Sequence, residues 1–162
     1  MNEEQYSRAN KRVLLAIVVV FGYIAATLML ALVVSQGGHA SKIMMEAVTA
    51  AAVIVISVAA YLGKRTTRTC AVIMTLSMMI GYFVIVQLNT TVGTWTYGLP
   101  LLIAAMVYLD KKIVMMTNGI ALVSIVVHLV RCFLGGGSDL RNNVIGLFVL
   151  LLTAYACNSA ER

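Results

Sequence analysis

Residues 13–34 read VLLAIVVVFGYIAATLMLALVV, a run of 22 residues that contains no charged side chain. An α-helix of that length rises about 33 Å, which is enough to cross the roughly 30 Å hydrocarbon core of a bilayer. A membrane β-barrel would instead need short strands in which apolar and polar residues alternate. The run therefore predicts a helix that lies in lipid and satisfies its own backbone hydrogen bonds.

The composition of the whole chain points to the same class of protein. Of its 162 residues, 61% are hydrophobic, and the mean hydropathy is +0.95. Soluble domains contain about 45–50% apolar residues, and a soluble fold of this size has too little interior to bury the excess. We therefore expect an all-α polytopic helical bundle, with a cytoplasmic tail at residues 1–12 and one membrane domain at residues 13–160.

Six apolar segments predict six transmembrane helices. Their approximate bounds are 13–34, 43–63, 70–88, 94–109, 113–134 and 140–160. The fourth segment is purely apolar only over residues 99–109, and it contains Pro100, which kinks a helix unless it lies in the first turn. The sixth is purely apolar only over residues 144–157. Both segments therefore span only if polar residues at their ends extend the helix.

Basic residues cluster in every second gap between these segments. Nine of the twelve Lys and Arg residues follow this pattern: Arg8, Lys11, Arg12, Lys64, Arg65, Arg68, Lys111, Lys112 and Arg162. Short loops rich in Lys and Arg remain in the cytoplasm, so we expect a multi-pass protein of the cytoplasmic membrane with both termini inside. The net charge of +6 is then explained by anionic lipid head groups, and we expect no nucleic-acid partner.

A short repeat accompanies the basic clusters. Residues 61–65 read YLGKR, and residues 108–112 read YLDKK, 47 positions later. Duplication of a unit would give three tandem helical hairpins related by an axis along the membrane normal. An interfacial tyrosine followed by snorkelling basic residues explains the same pattern without duplication.

Small and polar residues inside the segments predict contacts between helices. Gly22 and Ala26 lie four residues apart, as do Ser77 and Gly81, and this spacing favours close helix packing. Asn118 lies within the fifth segment, where an amide must find a hydrogen-bond partner. It therefore either bonds a neighbouring helix or lines a path through the bundle.

The candidate ligand site lies near the outer boundary. His128 and Arg131 are three residues apart, so they share one face of the fifth segment, and together they could bind a small anion or a carboxylate. Alternatively, Arg131 extends to the head groups and His128 bonds another helix. Glu46, at the same level of the second segment, could pair with Arg131 or Lys42 or complement its helix N-terminus.

Three further residues join this site as candidates at the outer level. They are Asn89, which precedes the fourth segment, and Trp95 and Tyr97, which lie near its start. The two aromatic residues fit either interface anchors or stacking platforms for a ligand. The sequence contains no metal-type spacing of His and Cys, no Ser–His–Asp set at one depth and no mid-membrane carboxylate pair. We therefore expect neither an enzyme nor a bound metal or cofactor.

Several short motifs resemble those of a known family. They are residues 1–6, MNEEQY; residues 9–11, ANK; residues 89–91, NTT; residues 96–100, TYGLP; and residues 108–112, YLDKK. Together they resemble the multi-span membrane region of clostridial methyl-accepting chemotaxis receptors. The resemblance implies a sensory membrane domain that precedes a cytoplasmic helical signalling region and works as a homodimer. It fixes no ligand-binding residues.

Three functions follow as hypotheses. The first is a transmembrane sensory module that relays an outer-face ligand or the state of the membrane, through the sixth segment, to an output region expected after Arg162. The second is a small oligomeric transporter or channel, for which Asn118, Ser124 and His128 offer a partial polar stripe. The third, a membrane-embedded enzyme, lacks a reactive cluster. The small ligand and the surrounding lipid bilayer are the other expected partners.

Overall fold

The computed structural model describes residues 2–34, 40–88, 94–108, 110–134 and 140–159, with the backbone alone at 34, 94, 95, 140–143, 157 and 158. These residues form six α-helices. They are α1 (Glu3–Val34), α2 (Ala40–Lys64), α3 (Arg68–Leu88), α4 (Gly98–Met106), α5 (Lys111–Leu134) and α6 (Leu140–Ser159), with a short 3-10 helix at Thr94–Tyr97. The predicted all-α class is confirmed.

Four helices are long and apolar enough to cross a membrane. These are α1, α2, α3 and α5. In contrast, α4 has 9 residues, and the apolar part of α6 covers only Val144–Ala156. The two shorter helices correspond to the two segments whose apolar runs are shortest in the sequence. The chain is thus a helical protein of membrane type.

The fourth segment changes its helical form instead of forming one continuous α-helix. The 3-10 helix at Thr94–Tyr97 leads directly into α4, and Pro100 is the third residue of α4. The first four N–H groups of an α-helix have no partner within the helix, so a proline there breaks no hydrogen bond. Gly98 opens α4 because a Cβ at that position would lie 2.8 Å from the Tyr82 hydroxyl oxygen of α3.

The centre of the bundle is α3. It packs against α1, α2, α4 and α5, whereas α6 packs against α4 and α5. Buried residues occur along the whole length of α3. The fully buried side chains include Cys70, Met74, Met78 and Tyr82. A helix that is apolar on all sides and buried by several neighbours is the core of its fold.

Contacts at the helix ends show that α1, α3 and α5 begin at the same end of the bundle. Asn10, near the start of α1, donates to the carbonyl oxygen of Arg65 at 2.7 Å, just before α3 begins. Arg68, the first residue of α3, binds Asp110, which precedes α5. We call this the basic end, because the clusters at residues 8–12, 64–68 and 111–112 lie there, and we call the opposite end the distal end.

The surface of the protein is apolar and part of its interior is polar. Val33 and Leu62 are 82% and 77% exposed, whereas Glu46 and His128 are 4% and 7% exposed and Asn10 is completely buried. In water, extended apolar patches of this kind drive association. In lipid the arrangement is favourable, since polar side chains there turn towards the interior of the bundle.

Small residues allow three helices to approach closely at one level. A Cβ placed on Gly81 of α3 would lie 2.3 Å from Cγ2 of Val53 in α2 and 3.2 Å from Cε1 of Phe21 in α1. One turn earlier in α3, the Ser77 hydroxyl lies 3.1 Å from that of Ser57 in α2. The predicted packing face at Ser77 and Gly81 is confirmed.

The same spacing in α1 has a different outcome. A Cβ on Gly22 would meet no heavy atom within 4 Å, and Ala26 is exposed. The expectation that Gly22 and Ala26 pack closely is wrong within this chain, because this face of α1 turns away from the other helices.

The two glycines therefore make a matched pair of substitutions. We expect Gly81→Ala to lower the free energy of unfolding by about 1–3 kcal/mol, since an added methyl group overpacks the junction and the β-branched Val53 has little freedom to move. Gly22→Ala should instead leave stability unchanged or raise it by up to about 1 kcal/mol, because alanine favours the helix. Denaturant unfolding in detergent micelles measures both. The double variant Gly81→Ala, Val53→Ala should recover part of the loss, and equal effects of the two single substitutions would contradict the packing described here.

Candidate functional site

A cluster of polar side chains joins α3 and α5 at the distal end. The Gln87 side chain donates from Nε2 to the carbonyl oxygen of Ser124 at 2.9 Å. Arg131 donates from Nη1 to the carbonyl oxygen of Gln87, and the same nitrogen lies 3.4 Å from Gln87 Oε1. Gln87, Ser124, His128 and Arg131 form what we call the Gln87 cluster.

The position of Gln87 explains why an arginine binds there. Gln87 is the second-last residue of α3, and the last carbonyl groups of a helix have no N–H partner within the helix. These groups also carry the negative end of the helix dipole, which favours a nearby cation. Arg131 therefore caps α3 from the neighbouring helix.

The other members of the cluster lie on the face of α5 that turns towards α3. Ser124, His128 and Arg131 follow one another at intervals of four and three residues, which places them on one side of the helix. His128 is largely buried and lies close to the backbone of Val86 in α3. Its Nε2 also lies 3.6 Å from Sγ of Cys132. A hydrogen bond from His128 to a neighbouring helix, which the sequence left as one alternative, stays a prediction.

The remaining predicted ligand residues are distributed around this cluster. Glu46 is buried on α2, and the charge that acts on it is that of Lys42, one turn earlier. Because α2 packs against α1 and α3, whereas α5 packs against α3, α4 and α6, Glu46 and Arg131 lie on helices that share α3 as their neighbour. Whether Glu46 pairs with Lys42, pairs with Arg131 or complements its helix N-terminus stays a prediction.

The aromatic candidates lie at the entrance to α4. Tyr97 is half-buried in the 3-10 helix and packs against the apolar core, as an anchoring residue would. Trp95 belongs to the same 3-10 helix. Asn89 lies outside the described residues. Their proposed contact with a ligand remains a prediction.

A second arginine joins α3 and α5 at the basic end. Arg68 Nε lies 2.7 Å from Asp110 Oδ2, and Nη2 lies 3.4 Å from Oδ1. Asp110 Oδ1 also accepts the backbone N–H of Lys112 at 3.0 Å, so the same carboxylate caps the start of α5. The hydrogen bond from Arg68 holds the pKa of Asp110 below its ordinary value. In the sequence, Arg68 counts only as one of the clustered basic residues and Asp110 occurs only in the YLDKK repeat, so this ion pair was not predicted.

The distance between the two arginine contacts is about the thickness of the hydrocarbon core of a bilayer. From residue 68 to residue 87, α3 rises about 28 Å, and from residue 110 to residue 131 the α5 segment rises about 31 Å, at 1.5 Å per residue. The hydrocarbon core is roughly 30 Å thick. The length of α3 and α5 between the two contacts therefore matches the thickness of a bilayer core, and the two helices run parallel between them.

The buried amide of Asn118 links α5 to α6. Its Nδ2 donates to the carbonyl oxygen of Ala154 at 3.4 Å, as predicted for a buried amide that bonds a neighbouring helix. The Ser124 hydroxyl instead donates to the carbonyl oxygen of Ile120 in its own helix at 2.6 Å. Two of the three residues of the polar stripe, Asn118 and Ser124, thus bond to backbone carbonyl groups.

The chemistry available at the Gln87 cluster is anion recognition. Arg131 now donates to neutral oxygen atoms, whereas a carboxylate offers a guanidinium a negative charge and two oxygen acceptors that it can bind in a bidentate manner. A carboxylate could therefore replace the Gln87 carbonyl as the partner of Arg131. In the part of the chain that the structure describes, no three His, Cys, Asp or Glu residues are grouped so that they could hold a metal ion.

Comparisons with protein-family models, with curated proteins and with solved structures gave no match. The resemblance to chemotaxis receptors therefore remains a prediction from short motifs.

The ion pair at the basic end makes stability depend on pH in a defined direction. Because the pKa of Asp110 is lowered in the folded protein, ionised Asp110 stabilises the fold above its unfolded pKa of about 3.9, and the benefit disappears as the pH falls through the lower folded value. We expect wild type to unfold at a higher temperature than Asp110→Asn at pH 6, and the difference to vanish towards pH 2.

Thermal unfolding across pH measures this dependence. In an Arg68→Gln background, Asp110→Asn should retain only the part of the effect that comes from capping α5. A difference between wild type and Asp110→Asn that stays constant from pH 6 to pH 2 would show that the Asp110 charge does not contribute.

Proposed function

We propose that this chain is the transmembrane sensory module of a chemotaxis-type signal-transduction receptor in the cytoplasmic membrane. In this proposal all six helices, with the 3-10 helix extending α4, cross the membrane as three hairpins, and both termini are cytoplasmic. The observation that carries the proposal is the pair of arginine contacts, Arg68 with Asp110 and Arg131 with Gln87, at the two ends of the buried helix α3.

The common starting end of α1, α3 and α5 supports the orientation. The basic clusters lie at that end, and loops rich in Lys and Arg are retained in the cytoplasm. The Gln87 cluster then faces the outside, where an extracellular ligand arrives. The Arg68–Asp110 ion pair faces the cytoplasm, where an output region would act.

Ligand binding would act through competition for Arg131. A small carboxylate or other anion that binds the guanidinium displaces the Gln87 carbonyl, and this frees the distal end of α3 from α5. A packed helix shifts as a unit, typically by about 1–2 Å at an interface. The change therefore reaches the other end of α3 without a charge in the middle of the membrane.

The route to an output helix runs from α5 to α6. Asn118 joins α5 to Ala154 of α6, so a shift of α5 against α3 changes the position of α6. The family resemblance assigns the cytoplasmic signalling region to the C-terminal side, after Arg162, and assigns a homodimer as the working unit. Both assignments are part of the proposal.

A ligand panel on the purified full chain tests the proposal. We expect a small carboxylate to raise the unfolding temperature of wild type, because it binds only the folded state. Arg131→Gln should abolish the shift, His128→Asn should reduce it, and Arg65→Gln, which removes one arginine charge at the opposite end, should retain it. A carboxylate shift that survives Arg131→Gln would remove the Gln87 cluster as the site.

Two further measurements separate a sensor from a transporter. Reconstituted liposomes should show no flux of the binding anion above that of protein-free vesicles, and a clear flux would favour the transporter or channel. The gene sequence beyond Arg162 should encode a helical region with a heptad pattern. A stop codon directly after Arg162 would contradict a receptor with its output on this chain.

A further inference from the structure

We propose that the junction of α1 and α2 at the basic end binds an anionic phospholipid, with its phosphate at Lys11 and Arg12. The structure shows an open groove there, with a volume of about 590 Å³. Volumes of this order are typical of small-molecule sites. The groove lies on the other side of α1 from its buried face, so it is independent of the contacts between α3 and α5.

The lining of the groove changes from basic to apolar along α1. The part of the groove nearest the basic end is lined by Arg8, Lys11 and Arg12. The part nearer the middle of the helix is lined by Leu14, Leu15 and Val18. The distance along the helix axis from residue 12 to residue 18 is about 9 Å at 1.5 Å per residue. A phospholipid has the same order of groups, since a phosphate lies above the first methylene groups of its acyl chains.

The side chains on the basic part are available for an anion. Arg8 pairs with Glu4 of its own helix. Within the residues that the structure describes, neither Lys11 nor Arg12 forms an ion pair or a side-chain hydrogen bond. Two cations side by side at one level, without a protein partner, are complementary to a phosphate diester that carries one negative charge.

Tyr61 of α2 closes the groove from the other side. It also lines a second hollow of about 500 Å³, whose rim includes Lys64 and Arg65. Tyrosine is enriched at membrane interfaces, where its ring lies among acyl chains and its hydroxyl among head groups. The basic rim therefore continues across Tyr61, which places the groove at head-group level in whichever leaflet contains this end.

The apolar wall decides between a lipid and a soluble phosphate compound. A free phosphate or a sugar phosphate would gain nothing from Leu14, Leu15 and Val18, which a water-soluble ligand would leave exposed. Acyl chains cover an apolar surface of this kind at little cost when it lies at the edge of the hydrocarbon. The occupant that matches both parts is a lipid.

The test uses the purified full chain in a neutral detergent, with phosphatidylglycerol or phosphatidylcholine added in steps and the bound lipid counted by native mass spectrometry. We expect phosphatidylglycerol to bind more tightly. Lys11→Gln with Arg12→Gln should weaken it roughly tenfold or more, since each cation near an anionic lipid contributes about 1 kcal/mol. The matched control, Lys111→Gln with Lys112→Gln, removes the same charge at the same end and should change the affinity less than threefold.

A second variant leaves the charge unchanged, so it tests the groove even if the double variant has an altered topology or fold. Val18→Phe fills the apolar part of the groove, and it should weaken phosphatidylglycerol binding several-fold while helicity stays unchanged. Soluble glycerol phosphate at equal concentration should not displace the lipid.

Three results would overturn the proposal. The first is an equal loss of phosphatidylglycerol affinity in both double variants. The second is equal affinity of wild type for the two lipids, and the third is unchanged phosphatidylglycerol binding in Val18→Phe. If glycerol phosphate displaced the lipid fully, the site would be one for a soluble phosphate and not for a lipid.

Discussion

The bundle depends on how α3 is held against α5 in a medium without water. Arg68 at the start of α3 binds the carboxylate that precedes α5, and Arg131 near the end of α5 binds a carbonyl group near the end of α3. Each helix thus supplies an arginine to the other. Between these contacts the interface is formed by apolar packing, and next to the distal contact the Gln87 side chain donates to the Ser124 carbonyl oxygen. Charge is confined to the two boundaries, where its desolvation cost is smallest.

This division has a consequence for how the bundle can move. Apolar contacts between helices in lipid are not strongly directional, since lipid chains are as apolar as the side chains they replace. The relative position of α3 and α5 is therefore fixed mainly at the two ends, where hydrogen bonds have defined geometry. In the proposed sensor, a change at one end would reach the other through the stiff helix between them, without a chain of coupled side chains.

The sequence predicted what depends on local properties. The apolar runs gave the helices of α1, α2, α3 and α5, because length and hydropathy alone determine whether a segment can lie in lipid. Pro100 marked the fourth segment as irregular, and the structure divides that segment into a 3-10 helix and α4. The exact form could not be foreseen, since it depends on the fit of Gly98 against Tyr82, two residues that lie sixteen positions apart.

Contacts between helices were predicted less well, because they depend on how each helix is rotated about its axis. The same small-residue spacing occurs at Gly22 with Ala26 and at Ser77 with Gly81, yet only the second pair meets other helices. A sequence pattern shows that one face of a helix carries small side chains. It does not show which neighbouring helix packs against that face. For the same reason the sequence did not predict that Arg131 binds a carbonyl group near the end of α3.

The basic residues show most clearly that the sequence does not reveal the surroundings of a side chain, since residues of equal charge lie in different environments. Arg68 and Arg131 both contact the protein, one at a carboxylate and the other at a helix end. Lys11 and Arg12 turn towards the outside of the bundle, next to an apolar wall. The positive-inside rule counts all of them alike. Only the arrangement of the helices distinguishes charges that hold the protein together from charges that remain available to the lipid around it.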